Sequence, residues 1–228
     1  MNMDQSKKIM YHGTCHLFDR FEIDRLGTGE GKSKFGHGIY ITPSYATAAE
    51  YAAKAAKKNN VEDYYVYTVE VPKLVEGNHI FSSIPVNPEI VARIEAAIGE
   101  SVPDQAKTMG KMFRKYVGNL RAGKKKSQDN PKGMTEKKMM STAEFDAENA
   151  AAKLFDENGI TFLVWPYHQV KSEILLKNLK EHGPEGVDTD RAVLNAENVR
   201  IIQVDSVKTD EKNNFIEDSA KPVKVFFG

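Results

Sequence analysis

At 228 residues the chain can bury one sizeable core, and length alone leaves one or two domains open. Its 32 basic and 32 acidic side chains cancel, which excludes a global electrostatic pull toward nucleic acid or membrane. No stretch approaches the ~20 apolar residues of a bilayer-spanning helix, residues 1–8 lack the apolar core of a secretory signal, and a lone Cys15 excludes an internal disulfide or a Cys-built zinc site. A cytoplasmic protein without a bound metal is the expectation, with delivery into a target or host cell left open.

Residues 8–13 read as a short strand, and Phe18, Phe21 and Ile23 continue in extended form. Residues 25–34, with Gly27, Gly29 and Gly31 among polar spacers, read as a loop. Residues 38–42 form a second strand, and Pro43-Ser44 opens an alanine-rich helix that Asn59-Asn60 ends. Residues 64–71 alternate as a half-buried strand. Ile90, Val91, Ile94 and Ile98 are spaced for an amphipathic helix, and Met109, Met112, Phe113, Val117 and Leu120 for another. Residues 145–158 form a third, closed by Gly159. Residues 160–165 are nearly continuous apolar sequence, a buried strand, and Ile174 to Leu176 read as a further one. Residues 191–194, 199–204 and 223–227 supply the last strands. No internal repeat is visible. The fold class is α+β.

Charge is uneven locally. Eleven Lys and Arg lie from Lys107 to Lys138 against only Asp129 and Glu136. Such a run is usually a solvated face, and its interleaved aromatics, Phe113 and Tyr116, are few for a nucleic-acid surface.

Three stretches carry chemistry: Tyr11-His12-Gly13-Thr14, then Phe35-Gly36-His37-Gly38-Ile39-Tyr40-Ile41-Thr42, then Ala48-Ala49-Glu50-Tyr51. A His beside a Gly on a strand lets backbone approach a ligand, and two tyrosines eleven positions apart can flank a flat ring. A lone strand His is more often structural and a strand Tyr more often core. Together the stretches resemble the NAD-binding half of the His-Tyr-Glu class of ADP-ribosyltransferases, which includes poly(ADP-ribose) polymerases and diphtheria-like toxins. The helix and Gly159-Ile160 strand are similar to the transferase domains of phage and mobile-element polyvalent proteins. The resemblance is close over residues 9–81 and loose over 141–206.

The resemblance implies a split β-sandwich of two small antiparallel sheets with flanking helices. The whole chain, 1–228, would be one such domain carrying a helical, basic insertion at about 82–140. NAD is then the co-substrate. His12 is expected to bond a ribose hydroxyl, and Gly13 to offer backbone to the nicotinamide carboxamide. Thr14, Arg25, Gly36, Gly38 and Thr42 are expected as further NAD contacts, with Tyr40 and Tyr51 stacking on the nicotinamide. Where the polymerases place a carboxamide-binding Ser, this chain has Ala48.

The third member of the class, normally a Glu at the start of a late strand, has two candidates. Asp190 suits the pattern of acid, strand, turn and Val that ends at Val199. Glu173 is a true Glu ahead of Ile174-Leu175-Leu176, and an Asp, one methylene shorter, shifts the carboxylate by about 1 Å, which can cost ~10²-fold. Side-chain chemistry therefore argues for Glu173 and chain position for Asp190, and between the two Glu173 is the expected catalytic carboxylate. The plain reading of either is a solvated surface acid.

The reaction so implied is mono-ADP-ribosylation of a macromolecular acceptor, a protein first, with a loop at residues 180–189 setting acceptor choice. Nucleic acid as acceptor through Lys107 to Lys138, and water as acceptor in an NAD glycohydrolase, are the alternatives within the fold. A catalytically inactive NAD-binding module is a third. An RNA 2′-phosphotransferase ranks lower because it relies on His and Arg pairs in place of two tyrosines. Cys15, next to the His12 strand, reads as a small buried thiol more than a nucleophile.

Overall fold

The computed structural model describes residues 6–22, 36–123 and 142–226. Arg25, the glycine loop at 25–34 and the lysines at 124–138 lie outside the described residues.

Two four-stranded sheets form the frame. The first has the order β1 (Lys7–Thr14), β3 (Tyr65–Pro72), β7 (Arg200–Ser206), β8 (Lys221–Val225), antiparallel throughout. The second runs β2 (Ile39–Ile41), β6 (Thr189–Val193), β5 (Phe162–Pro166), β4 (His79–Phe81). The α+β split sandwich expected from the sequence is present, with one difference: β4 pairs with β5 in parallel, so the second sheet is mixed. A crossover of about a dozen residues or more is what a parallel pair requires, and helices α2 (Pro88–Ile98), α3 (Asp104–Lys107), α4 (Gly110–Arg121) and α5 (Thr142–Glu157) supply it between β4 and β5.

Among the described residues one backbone bridge stitches the two sheets together. Tyr11 and Thr42 exchange both N–H···O bonds at 2.9 Å, joining β1 to the end of β2. Between the sheets lies a core of Met10, Ile39, Ile41, Tyr67, Val69, Phe162, Val164, Val193 and Val204. A second core forms on the far side of the second sheet, where Leu163 and Ala192 pack on Ile90, Ile94, Phe113, Val117 and Phe155. Period-two alternation on β5 explains the division: Phe162 and Val164 enter one core, Leu163 and Trp165 the other.

Helix α1 (Tyr45–Asn59) covers the outer face of the first sheet. Ser44 caps it by accepting the Thr47 N–H at 3.2 Å, and Asn60 ends it in a left-handed conformation at φ 54°. Its buried side chains are all alanine, so the helix comes close to β1.

The strand read at Ile174 to Leu176 is instead the start of helix α6 (Ser172–His182). Leu175 is buried and Leu179 packs against the inter-sheet core, a helical i, i+4 pair, whereas Ile174 and Leu176 are about half exposed.

Candidate active site

The first strand presents two faces. Tyr11 and Gly13 point toward α1, where Tyr11 meets Tyr45 edge-on at 5.3 Å. A Cβ on Gly13 would fall 1.8 Å from the Ala48 carbonyl oxygen, so this glycine is required by the crossing of α1 over β1. His12 points the other way, into a nest of Phe18, Phe21 and Tyr67 with ring centroids 5.1–6.4 Å away. Its Nδ1 lies 2.8 Å from the Tyr40 carbonyl oxygen. Burial lowers the His12 pKa, against a smaller upward pull from that carbonyl. Thr14 accepts the His16 N–H at 3.2 Å.

Tyr40, on β2, faces the helical core. Its hydroxyl donates to the Gly36 carbonyl at 2.7 Å and its ring lies 5.4 Å from Trp165. Gly36 has φ +115°, and a Cβ there would meet Leu163 at 2.4 Å and Arg114 at 3.0 Å. Gly38 has comparably little space against Val193 and Ala192. Both glycines thus have packing reasons of their own beside the cofactor contact expected of them.

Tyr51 stands on α1 with 55 % of its surface exposed and Lys54 Nζ 5.3 Å from its ring centroid. Burial of its hydroxyl raises the pKa, with Asp190, Glu50 and Tyr167 adding to the rise. Tyr51, Tyr167 and Asp190 therefore share one neighbourhood. Tyr167 is fixed there by a 2.6 Å bond between its hydroxyl and Thr47 Oγ1, and by its N–H on the Asp188 carbonyl at 2.9 Å.

The two candidate acids differ sharply. Glu173 is exposed in the first turn of α6, and that helix removes the strand on which its candidacy rested. Asp190 is the second residue of β6, directly across from Trp165 on β5, and its next neighbours Arg191 and Ala192 pair with Ile41 and Tyr40. The Trp165 indole N–H donates to Asp190 Oδ2 at 3.1 Å, and the Thr42 hydroxyl also bonds this carboxylate. Oδ1 is buried. Burial raises the Asp190 pKa, partly offset by Thr42, Trp165 and His168. Thr42, expected as an NAD contact, is 6 % exposed and engaged by the carboxylate.

Some residues of this region carry no local sequence signal. Trp165 reads as one more apolar strand residue until register sets it opposite Asp190. Behind the site, the fully buried Arg191 grips both oxygens of Glu185 at 3.0 Å, and Glu185 also holds Lys8 Nζ at 2.7 Å and the Leu74 N–H. That cluster ties the turn Pro184–Gly186 to β1 and β6. Cys15 is 8 % exposed and packs on Ala55, Ala56 and Tyr64, as a small buried thiol does.

Among the described residues no helix is long and apolar enough to cross a membrane, and no group of three or more His, Cys, Asp or Glu side chains could hold a metal ion. Of the basic run, Lys107 is paired with Glu95 and Asp104, and Arg114 is buried against Glu148 at 2.7 Å.

What emerges is a His on β1, a Tyr on β2 and a carboxylate on β6, three strands in consecutive contact, with a second Tyr overhanging from α1. Searches of curated proteins and of solved structures each return no match. The family model described as ADP-ribosyltransferase in polyvalent proteins matches residues 4–178, from β1 into α6 and so including His12, Tyr40, Tyr51 and Glu173 but stopping short of Asp190. With more than half of its length matched, the chain belongs to the family of ADP-ribosyltransferases found in polyvalent proteins.

Proposed function

We propose that this domain cleaves the bond between nicotinamide and ribose C1 of NAD and transfers the ADP-ribose to a protein acceptor in the cytoplasm, its own or that of a target cell. The observation that carries the reading is the place of Asp190: a buried carboxylate held by Trp165 and Thr42, on the strand next to that of Tyr40 and close to Tyr51.

Cleavage leaves the bonding pair on the nicotinamide nitrogen and develops positive charge over C1 and the ring oxygen of the ribose, as in glycoside hydrolysis. A fixed carboxylate beside that ribose stabilises the cation, and its desolvation keeps it from being screened by water. The Asp190 oxygen that the indole does not hold would accept a ribose hydroxyl. Tyr40 and the open face of Tyr51 supply stacking for the nicotinamide, and cationic NAD adds cation–π attraction of about 0.5–2 kcal/mol. His12, neutral through burial, is suited to a hydroxyl of the adenosine ribose; Gly13 offers backbone to the carboxamide. The acceptor's lone pair then forms the bond to C1, and its proton passes to water.

The test is nicotinamide release from NAD, followed by chromatography with and without cell lysate as acceptor. Wild type releases nicotinamide; Tyr40→Ala and Asp190→Asn lose at least ~10²-fold; Glu173→Gln keeps wild-type rates. Loss in Glu173→Gln with retention in Asp190→Asn would reverse the assignment of the carboxylate. Release that is unchanged by lysate and labels no protein would make water the acceptor, and no release under any condition would leave a binding module.

A further inference from the structure

Trp165 touches two members of the proposed site at once. Its place follows from register: β5 and β6 are antiparallel with Trp165 opposite Asp190, and alternation sends Leu163 and Trp165 to the side of the sheet that Tyr40 faces. From there the indole N–H reaches Asp190 Oδ2 at 3.1 Å, and the ring lies 5.4 Å from that of Tyr40, tilted by 52°.

We infer that Trp165 is the positioning residue that lets an Asp serve where the class uses a Glu: its N–H fixes the carboxyl plane of Asp190 so that Oδ1 is presented to the ribose. The inference rests on the reading of Asp190 as the reacting carboxylate. An Asp carboxyl turns about a broad, two-fold χ2 torsion, so a short side chain with no anchor spreads its oxygens over many orientations. An indole N–H is a donor with no acceptor capacity, hence it bonds most strongly to the ionised carboxylate. The Thr42 hydroxyl, which both donates and accepts, holds either protonation state. The other titratable groups around this carboxyl are His168, Tyr51 and, beside Tyr51, Tyr167.

Trp165 is the single tryptophan of the chain, so its N–H can be removed without changing any other residue. Two replacements serve: Trp165→Phe, and biosynthetic substitution by benzothienylalanine, which keeps the bicyclic shape and puts sulfur in place of the N–H. For each, kcat and KM for NAD are measured across pH, and the Asp190 carboxyl is titrated by carbon NMR, assigned with Asp190→Asn. The expected result is a fall in kcat of about tenfold or more, with KM changed less than about threefold. The Asp190 midpoint and the acid limb of kcat both move up by about one pH unit, since a bond that favours the anion is gone. An unmoved midpoint with wild-type kcat in the benzothienyl protein overturns the inference, as does a protein that is merely less stable with its midpoint in place. Absence of nicotinamide release by wild type defeats the transferase reading itself, and the NMR midpoint separates that failure from failure of the indole contact.

Discussion

His12 shows how a neighbour decides what a side chain offers. The Tyr40 carbonyl can only accept, so His12 Nδ1 carries the hydrogen and, in the neutral ring, Nε2 remains an acceptor. Burial lowers its pKa. In the unfolded chain the ring protonates near pH 6.5, whereas in the folded one it resists until lower pH. The unfolded state therefore binds more protons below pH 6.5, and stability falls as pH drops through that window. Replacing His12 by Gln removes this term, so the stability gap between wild type and His12→Gln should narrow from pH 7.5 to pH 5.5, read by urea denaturation at each pH. A constant gap would show that His12 titrates as it does in the unfolded chain. His12, Tyr40 and Tyr51 are legible in sequence because each sits in a short local motif. Which acid stands near them is not, because Glu173 and Asp190 each lie close to a short apolar run and only long-range pairing places Asp190 opposite Trp165.

At the scale of elements, the approach of α1 to β1 sets the geometry of the candidate site, because Tyr51 rides on the helix and His12 on the strand. Small residues on both sides permit that approach: Gly13 on the strand, Ala48, Ala49 and Ala52 on the helix. Gly13→Ala places a methyl 1.8 Å from a backbone carbonyl that cannot rotate away. The expected cost is about 3 kcal/mol in urea denaturation, at the upper end for overpacking, together with weaker nicotinamide release as α1 shifts. A stability change below about 0.5 kcal/mol would mean that the helix moves freely relative to the strand. Helix α6 marks the opposite case. Ile174-Leu175-Leu176 is too short to show a period, and the evidence for a helix lies in Leu175 with Leu179, in Glu173 at its start and in Lys180 and His182 at its end.

Across the whole molecule, the helices between β4 and β5 form the second core and reach the site from behind. Arg114 on α4 is 2 % exposed, pairs with Glu148 on α5 at 2.7 Å, and lies against Gly36, whose carbonyl receives the Tyr40 hydroxyl. Gly118, where a Cβ would meet the Ala147 carbonyl at 2.3 Å, sets how closely α4 and α5 cross. Burial raises the Glu148 pKa and Arg114 opposes the rise. Removing one partner strands a buried charge, so Glu148→Ala is expected to cost about 3–5 kcal/mol and to lower nicotinamide release with it. Denaturation should remain one cooperative transition, monitored by Trp165 fluorescence and by circular dichroism. Two separated transitions would make the helical layer an independent unit.

The amino-acid sequence by itself determined the class of fold, most element positions, and the short motifs that hold His12, Tyr40 and Tyr51. Those features rest on periodicity, capping residues and glycine-marked motifs that act within a dozen residues. Tertiary structure alone decided the parallel β4–β5 pair, the helical state of residues 172–182, the partners of Asp190, and the buried pair that joins α4 and α5 behind Tyr40. Each of these depends on strand register or on contact between segments far apart in the chain. A one-residue change of register moves every side chain to the other face, and no local pattern records which residue will stand opposite which.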